Sequence, residues 1–189
     1  QLPDSIQLTV KRTGYFTRML PVQAATSVIT SDVFLTPIAQ GRLFGRNLVI
    51  DARYGGVESG DVSVKNLRSA DINLEIARRL VELLRAAGAN AVLTRSVDTS
   101  IAESERVKLA VPYTSGKYVR IDASGNQMQT SCQIYGSIPN RVFAQRLVSG
   151  IQLTTELGTS GITASLERLY FDVPIGTVTV ILPSVITGY

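Results

Sequence analysis

The sequence predicts an α/β fold in which a mostly parallel sheet with flanking helices follows a β-rich amino-terminal arm. From residue 47 onward, short apolar segments alternate with amphipathic helical segments, and Gly or Asp residues stand at their ends. The first 46 residues instead contain alternating or Thr-rich, Pro-bounded segments. We therefore divide the chain into an arm, or the end of a preceding module, over 1–46 and an α/β domain over 47–189.

The individual elements follow from periodicity. Alternation of apolar and polar residues predicts arm strands over 5–12, 15–22 and 28–37. In the α/β domain, short apolar runs predict strands over 47–51, 90–94, 117–123, 131–135, 166–171 and 177–182. Apolar positions at helical spacing predict helices over 71–87, 100–110 and 140–157.

Capping residues define the ends of the first two helices. Asp71 is expected to cap the first helix, and Gly88 follows its last residue. Ser100 and Glu103 have the spacing of a capping box and predict the start of the second helix.

Composition excludes several kinds of chemistry. The 189 residues contain no His and one Cys, so neither Ser–His catalysis, a His-containing zinc site nor a thiolate cluster can form. Any metal would have to be a hard ion held by carboxylates. The net charge of +4 suggests an acidic partner, but no basic cluster with interleaved aromatic residues indicates specific nucleic-acid binding. No apolar run approaches the roughly 20 residues of a membrane span.

A series of motifs occurs in a fixed order along the domain. They are VIDARYGG at 49–56, SADINLEIARRL at 69–80, LTR at 93–95, ERVKLA at 105–110, VRIDASG at 119–125 and VTVILP at 178–183. In content and order they resemble the zinc-dependent N-acetylmuramoyl-L-alanine amidases, which cleave the peptide stem from peptidoglycan. The resemblance extends from about residue 47 to 183 and implies the α/β fold of that family.

The resemblance also implies where a metal site would lie. The family's zinc ligands, His, Glu and His, correspond to Tyr54, Ser69 and Asp122, and its catalytic Glu corresponds to Pro183. None of these positions keeps its residue type, and Arg53 adds a positive charge that opposes a cation. We therefore predict a degenerate family member whose vestigial site has no bound zinc, no other cofactor and no catalytic residue.

Four residues at this site are candidates for ligand binding: Asp51, Arg53, Tyr54 and Asp122. Asp122 is more simply explained as a capping carboxylate or as the partner of Arg53 or Arg120. Asp51 is more simply explained by hydrogen bonds to the loop backbone. Tyr54 either stacks on a sugar or peptide or fills the volume of a missing His–metal pair.

The leading functional hypothesis is a non-catalytic amidase-like module, not an enzyme, that binds peptidoglycan or assembles with other proteins of the bacterial envelope or spore. One alternative is a peptidoglycan hydrolase of altered, non-zinc mechanism that uses Asp51, Asp122 or Glu58 with a hard metal. Another is an anion-binding module that uses the basic surface. We expect an exported, extracytoplasmic protein that self-associates or binds an envelope protein, with residues 1–46 contributing to the contact. Arg95 is expected to pair with a carboxylate and support the fold.

Overall fold

A computed structural model describes residues 5–12, 17–23, 33, 35, 41–113, 116–125, 128–134, 138–155, 158–164 and 176–183. In these ranges the strands are β1 Ser5–Val10, β2 Arg18–Gln23, β3 Asn47–Ala52, β4 Asn90–Leu93, β5 Lys117–Asp122, β6 Thr130–Ile134, β7 Thr159–Ala164 and β8 Gly176–Ile181. The helices are α1 Ser69–Ala86, α2 Glu103–Lys108 and α3 Ile138–Thr154.

Six strands form one sheet in the order β4-β3-β5-β8-β6-β7. All neighbouring strands are parallel except β6 and β8, which are antiparallel. The predicted α/β fold with a mostly parallel sheet is confirmed. β1 and β2 form a separate antiparallel pair from Ser5↔Gln23 to Val10↔Arg18, within the predicted arm. The division of the chain at residue 46 stays a prediction.

Both faces of the sheet carry apolar side chains, because successive strand residues point to opposite sides. On one side, Ile50 and Val119 belong to a buried cluster with Ala77 of α1 and Val148 of α3. On the other side, Val49 and Tyr118 are buried with Ala110, which follows α2. This burial on two faces fits the consecutive apolar residues Leu48–Ile50 of β3, whereas β5 also buries the charged Arg120. No helix in the described ranges is long and apolar enough to cross a membrane.

α1 begins earlier than its predicted cap. Its N-cap position is Arg68 rather than Asp71, which lies in the first turn. The amides of Ser69 and Ala70 donate to the carbonyls of Asp61 and Ser59, at 2.9 and 3.0 Å. The preceding loop therefore satisfies donors that a cap side chain would otherwise serve. At the other end, Gly88 follows the helix with a φ of 89°, as its position predicted.

The predicted capping box of α2 is wrong. α2 begins at Glu103 with Ala102 in the N-cap position, and the cap makes no side-chain hydrogen bond. The Ser100 hydroxyl donates to the Gly55 carbonyl at 2.8 Å and accepts from the Val57 amide at 3.2 Å. Ser100 therefore fixes the loop after β3 instead of starting a helix.

β7 was not predicted, whereas the strand expected over 166–171 and most of the one expected over 28–37 lie outside the described residues. β7 contains Gly161 at a φ of 90°, and its pairing with β6 shifts register between Thr130 and Ser131. A glycine inside a strand weakens the sequence signal for that strand. The pattern of TSGITA is therefore too irregular to identify from periodicity.

Candidate functional site

The carboxyl ends of two neighbouring parallel strands bring the candidate residues together. Ala52 of β3 lies opposite Ile121 of β5, and the Arg53 amide donates to the Ile121 carbonyl at 3.2 Å. Arg53 and Tyr54 therefore leave the sheet beside Asp122 at the end of β5. In open α/β sheets, this edge is where ligands bind.

Arg53 and Asp122 form an ion pair between the guanidinium Nη1 and the carboxylate Oδ2. The Arg53 side chain is 30% exposed and that of Asp122 is 5% exposed, so the guanidinium reaches solvent while the carboxylate is nearly enclosed. Burial lowers the pKa of Arg53, but the charge of Asp122 and its hydrogen bond outweigh that effect and raise the pKa. The Arg53 guanidinium is therefore charged at any physiological pH.

A chain of hydroxyl groups reaches the other oxygen of Asp122. The Ser124 hydroxyl and amide donate to Oδ1 at 2.6 and 3.1 Å. The Tyr54 hydroxyl lies 3.1 Å from Ser124 Oγ. Because the single Ser124 hydroxyl proton goes to the carboxylate, Tyr54 is the donor in this contact. Tyr54, Ser124 and Asp122 thus form one directed network.

Tyr54 has an unusual backbone conformation for a residue with a side chain. Its φ is 64°, in the left-handed region. Its ring lies against Gly60, where an added Cβ would come within 2.6 Å of Tyr54 Cδ2 and 2.8 Å of the Ser69 Cβ. The guanidinium carbon of Arg53 lies 4.8 Å from the centre of the same ring. A glycine at position 60 is therefore required for Tyr54 and Ser69 to lie this close.

The residues at the family's ligand positions do not fit a zinc ion. Ser69 is fully buried, and its hydroxyl donates to the Ala123 carbonyl at 2.8 Å. The Tyr54 hydroxyl is committed to Ser124, and Asp122 is paired with Arg53. In the described ranges, no three Cys, Asp or Glu side chains cluster in a way that could hold a metal. Catalytic zinc requires about three protein ligands, and this set offers one carboxylate beside a fixed cation.

Two other predicted site residues lie apart from this network. Pro183 directly follows Leu182, whose amide donates to the Asp122 carbonyl at 2.7 Å, so it is at the edge of the site but has no titratable group. Glu58 is exposed, and its backbone pairs with Gly55 in an isolated bridge. Neither residue is shown in contact with the Asp122 carboxylate.

Asp51 lies beneath the site rather than in it. It is fully buried between Arg106 Nη1, at 2.6 Å, and Arg120 Nε, at 2.7 Å, and the Thr94 hydroxyl donates to it at 2.6 Å. Arg120 also contacts Glu103. These side-chain contacts differ from the hydrogen bonds to the loop backbone that were expected for Asp51. A ligand-binding or catalytic role for Asp51 stays a prediction.

Stability should fall in acid because of Asp51. Burial would raise the pKa of Asp51, but Arg120, Arg106 and the hydrogen bonds outweigh this and lower it from 3.8 to about 2. The folded protein holds this carboxylate ionised, so the stabilisation is present above about pH 4 and disappears as the pH falls toward about 2. We expect a loss of about 2 kcal/mol across this interval. Urea unfolding at several pH values measures it, and Asp51→Asn, which lacks the titrating group, should show a shallower slope.

Arg95 was missed as a residue that shapes the site. We expected it to pair with a carboxylate, but it is buried and donates to backbone carbonyls. Its nitrogens bond the carbonyls of Ala52 at 3.0 Å, Ala70 at 2.7 Å, Arg53 at 3.3 Å and Val97 at 3.2 Å. Burial lowers its pKa. Arg95 therefore joins the end of β3 to the start of α1.

Arg106 and Asn73 hold the same loop. Arg106 donates to the carbonyls of Ala52 and Tyr54 at 2.9 and 3.0 Å. The Asn73 amide group donates to the Arg53 carbonyl at 3.2 Å and accepts from the Ala123 amide at 2.9 Å. These residues stand in the ERVKLA and SADINLEIARRL motifs, which are the signal that could have identified them.

Comparison with known proteins places this geometry in a family. Residues 48–164 match the family model of N-acetylmuramoyl-L-alanine amidases. N-acetylmuramoyl-L-alanine amidase LytC of Bacillus subtilis is 32% identical over 120 residues, which are 61% of this chain and 24% of LytC. The chain thus spans about a quarter of that relative.

Solved structures show the same fold. The catalytic domain of CwlV, an N-acetylmuramoyl-L-alanine amidase from Bacillus (Paenibacillus) polymyxa, superposes with a TM-score of 0.65 at 25% identity, covering 71% of this chain and 78% of that one. The CwlD amidase from Clostridioides difficile, solved in complex with the GerS lipoprotein, gives a TM-score of 0.56 at 19% identity and covers 73% and 82%.

These similarities contradict the prediction that the chain is not an enzyme. LytC and CwlV are named as N-acetylmuramoyl-L-alanine amidases, and substituted ligand positions do not by themselves show that activity is lost. The resemblance seen in the ordered motifs is confirmed at the level of the family. With the family model covering well over half of its length, this chain belongs to the N-acetylmuramoyl-L-alanine amidase family.

Proposed function

We propose that this chain is a peptidoglycan hydrolase that cleaves an amide bond by a non-zinc mechanism at Arg53 and Asp122. The observation that carries the proposal is the ion pair itself. A nearly enclosed carboxylate lies beside a partly exposed guanidinium, at the carboxyl edge of a sheet with the amidase fold. Such a pair combines a proton acceptor with a donor for developing negative charge.

The proposed reaction begins with a water molecule held by Asp122. The carboxylate takes a proton from the water as its oxygen bonds to the amide carbon, and the carbonyl oxygen gains the negative charge. Arg53 has five N–H donors and gives one to Asp122, so others can stabilise that oxyanion. The tetrahedral intermediate then breaks its C–N bond, and the proton passes from Asp122 to the departing amine. A carboxylic acid and an amine are the products.

The network around Asp122 supports this role. Ser124 binds Oδ1 through two donors, which fixes the plane of the carboxylate. Oδ2 accepts from Arg53 and retains a second lone pair for a water proton. The Tyr54 ring, half-buried beside the guanidinium, offers a face to a sugar or peptide. On this proposal, Arg53 and Tyr54 bind substrate, whereas Ser69 serves the fold.

The degenerate character of the metal site is part of the same proposal. Tyr54, Ser69 and Asp122 replace ligand types that hold zinc, and Pro183 replaces a general base. Asp122 then takes over the base function, and Arg53 supplies the positive charge. The proposed catalyst therefore needs neither His nor a metal.

Release of stem peptides from purified peptidoglycan in the presence of EDTA tests the proposal. Wild-type protein should release them, and Asp122→Asn should lower the rate by about 10²–10³-fold, because the proton acceptor is lost. Glu75→Gln is the matched control, since this exposed carboxylate pairs with Arg79 on the outer face of α1. It should retain the wild-type rate.

Three results would contradict the proposal. Peptidoglycan could be bound without any release, release could stop when EDTA is added, or Asp122→Asn could match the wild type. The second result would indicate a metal-dependent reaction.

Action on peptidoglycan implies an extracytoplasmic location at the cell wall, which we propose for this chain. The similarity to CwlD, which was solved with a lipoprotein, supports an envelope protein as partner.

Self-association through residues 1–46 stays a prediction. Within that segment, Leu8 and Met19 are exposed on the β1–β2 pair. Sedimentation of the full chain and of a chain without residues 1–46 measures how much the segment contributes to self-association.

A further inference from the structure

We infer that Arg53 is a built-in cation that stabilises the site, so that truncating it creates a binding site for a small guanidinium-type cation. This inference concerns charge and stability, and it deepens the proposed function. It is tested without peptidoglycan, so it can fail while hydrolysis is observed, or hold while hydrolysis is not.

The need for a cation follows from the burial of Asp122. Its side chain is 5% exposed, and a carboxylate removed from water is unfavourable unless a positive charge or several donors compensate. Ser124 contributes two donors to Oδ1, which leaves Oδ2 to Arg53. Without the guanidinium, Oδ2 would face a half-enclosed space lined by the Tyr54 ring.

The neighbouring arginines, Arg106 and Arg120, bind other carboxylates than Asp122. Arg106 directs Nη1 to Asp51, and Arg120 directs Nε to Asp51 and Nη2 to Glu103. Both guanidiniums lie on the sheet side, under the loop that carries Arg53. Neither can turn toward Asp122 without leaving the fully buried Asp51 carboxylate short of a partner.

The space around the guanidinium is preorganised for a planar cation. The Tyr54 ring lies 4.8 Å from the Arg53 guanidinium carbon, within the range of a cation–π contact. The ring itself is fixed by its hydroxyl bond to Ser124 and by its packing on Gly60. The Arg53 carbonyl is held by Asn73 and Arg95, so the backbone stays in place when the side chain is shortened. A cavity with an aromatic wall and a carboxylate end should therefore remain.

Thermal unfolding of Arg53→Ala in the presence of ethylguanidinium tests the inference. The variant should unfold about 5 °C below wild type, and millimolar ethylguanidinium should recover at least half of that loss. At this concentration the ion has a negligible denaturing effect. Arg53→Lys should lose less than Arg53→Ala because it keeps the charge. If Arg53→Ala does not fold, Arg53→Gln carries the same test.

Arg68→Ala is the matched control. Arg68 is an equally exposed arginine that pairs with Asp71 and Asp98 outside the site. Ethylguanidinium should not raise its melting temperature, nor that of Arg53→Ala combined with Asp122→Asn, in which the carboxylate is absent. Equal recovery in the control, or in the double variant, would overturn the inference. So would an unchanged melting temperature in Arg53→Ala, or a rise when zinc is added to wild-type protein.

Discussion

Asp51→Asn is expected to destabilise the protein by about 3–5 kcal/mol. The carboxylate is the shared partner of two buried guanidiniums, from Arg106 and Arg120, and it also accepts from Thr94. The substituted amide has nearly the same shape, but it carries no charge and presents a donor where acceptors are needed. Two buried cations would then lose their compensating charge, which is the costliest way to break such a network.

Urea unfolding measures this effect, with an unchanged m-value showing that the folded state is intact. Asp98→Asn is the control, because Asp98 is 40% exposed and pairs with Arg68 at the surface. Its cost should be about 1 kcal/mol or less. A loss below about 1 kcal/mol for Asp51→Asn would mean that the buried network stabilises the fold little.

Arg95→Met should destabilise the protein by about 3 kcal/mol or more and loosen the loop that carries the site. Four carbonyls would lose a donor, and two of them, from Ala52 and Ala70, accept in buried bonds that water cannot readily replace. The methionine fills a similar volume, so the effect reports hydrogen bonding more than packing. Hydrogen exchange should accelerate at the amides of residues 53–56.

Arg85→Met provides the comparison for Arg95→Met. Arg85 also donates to a carbonyl, that of Ala91 at 2.8 Å, but it lies on the exposed side of α1 and makes this one side-chain bond among the described residues. We expect a loss of about 1 kcal/mol or less and unchanged exchange in the loop. Similar losses for the two variants would contradict a special role for Arg95.

Periodicity identified the frame of the site. β3 and β5 were predicted over 47–51 and 117–123, and their observed bounds differ from these by about one residue. Parallel neighbours end at the same edge, but it was the resemblance to the amidases that assigned Tyr54 and Asp122 to one site. The resemblance added the position of Ser69, which periodicity alone could not relate to the sheet.

The supporting arginines could not be predicted from their residue type. Arginine is usually exposed, so nothing local indicates that Arg95, Arg106 and Arg120 lie inside. Their burial depends on carbonyls and on a carboxylate contributed by distant segments. Ser100 failed as a cap for the same reason, because a carbonyl 45 residues away competes for its hydroxyl.

The prediction of an inactive protein was wrong for a related reason, because it used the residue types at single positions and not the contacts between distant segments. The substituted ligand positions exclude the chemistry that His and Glu provide with zinc, but they do not exclude proton transfer by a carboxylate. The sequence suggested Arg53 as one possible partner of Asp122, but the contacts that Ser124 makes to the same carboxylate become visible only in three dimensions. Residue types at aligned positions show which groups are absent and not which new ones have come together.

The way the loop after β3 is held has a consequence for how this fold can change. The carbonyl oxygens of the loop accept hydrogen bonds from Arg95, Arg106 and Asn73. These bonds do not depend on which side chains the loop residues carry. Positions 53 and 54 can therefore exchange chemistry while the backbone path persists, including the left-handed turn at Tyr54. Evolution could pass through such substitutions without an unfolded intermediate. For protein engineering, positions 53 and 54 of this loop are places where residues with new reactive side chains can be introduced.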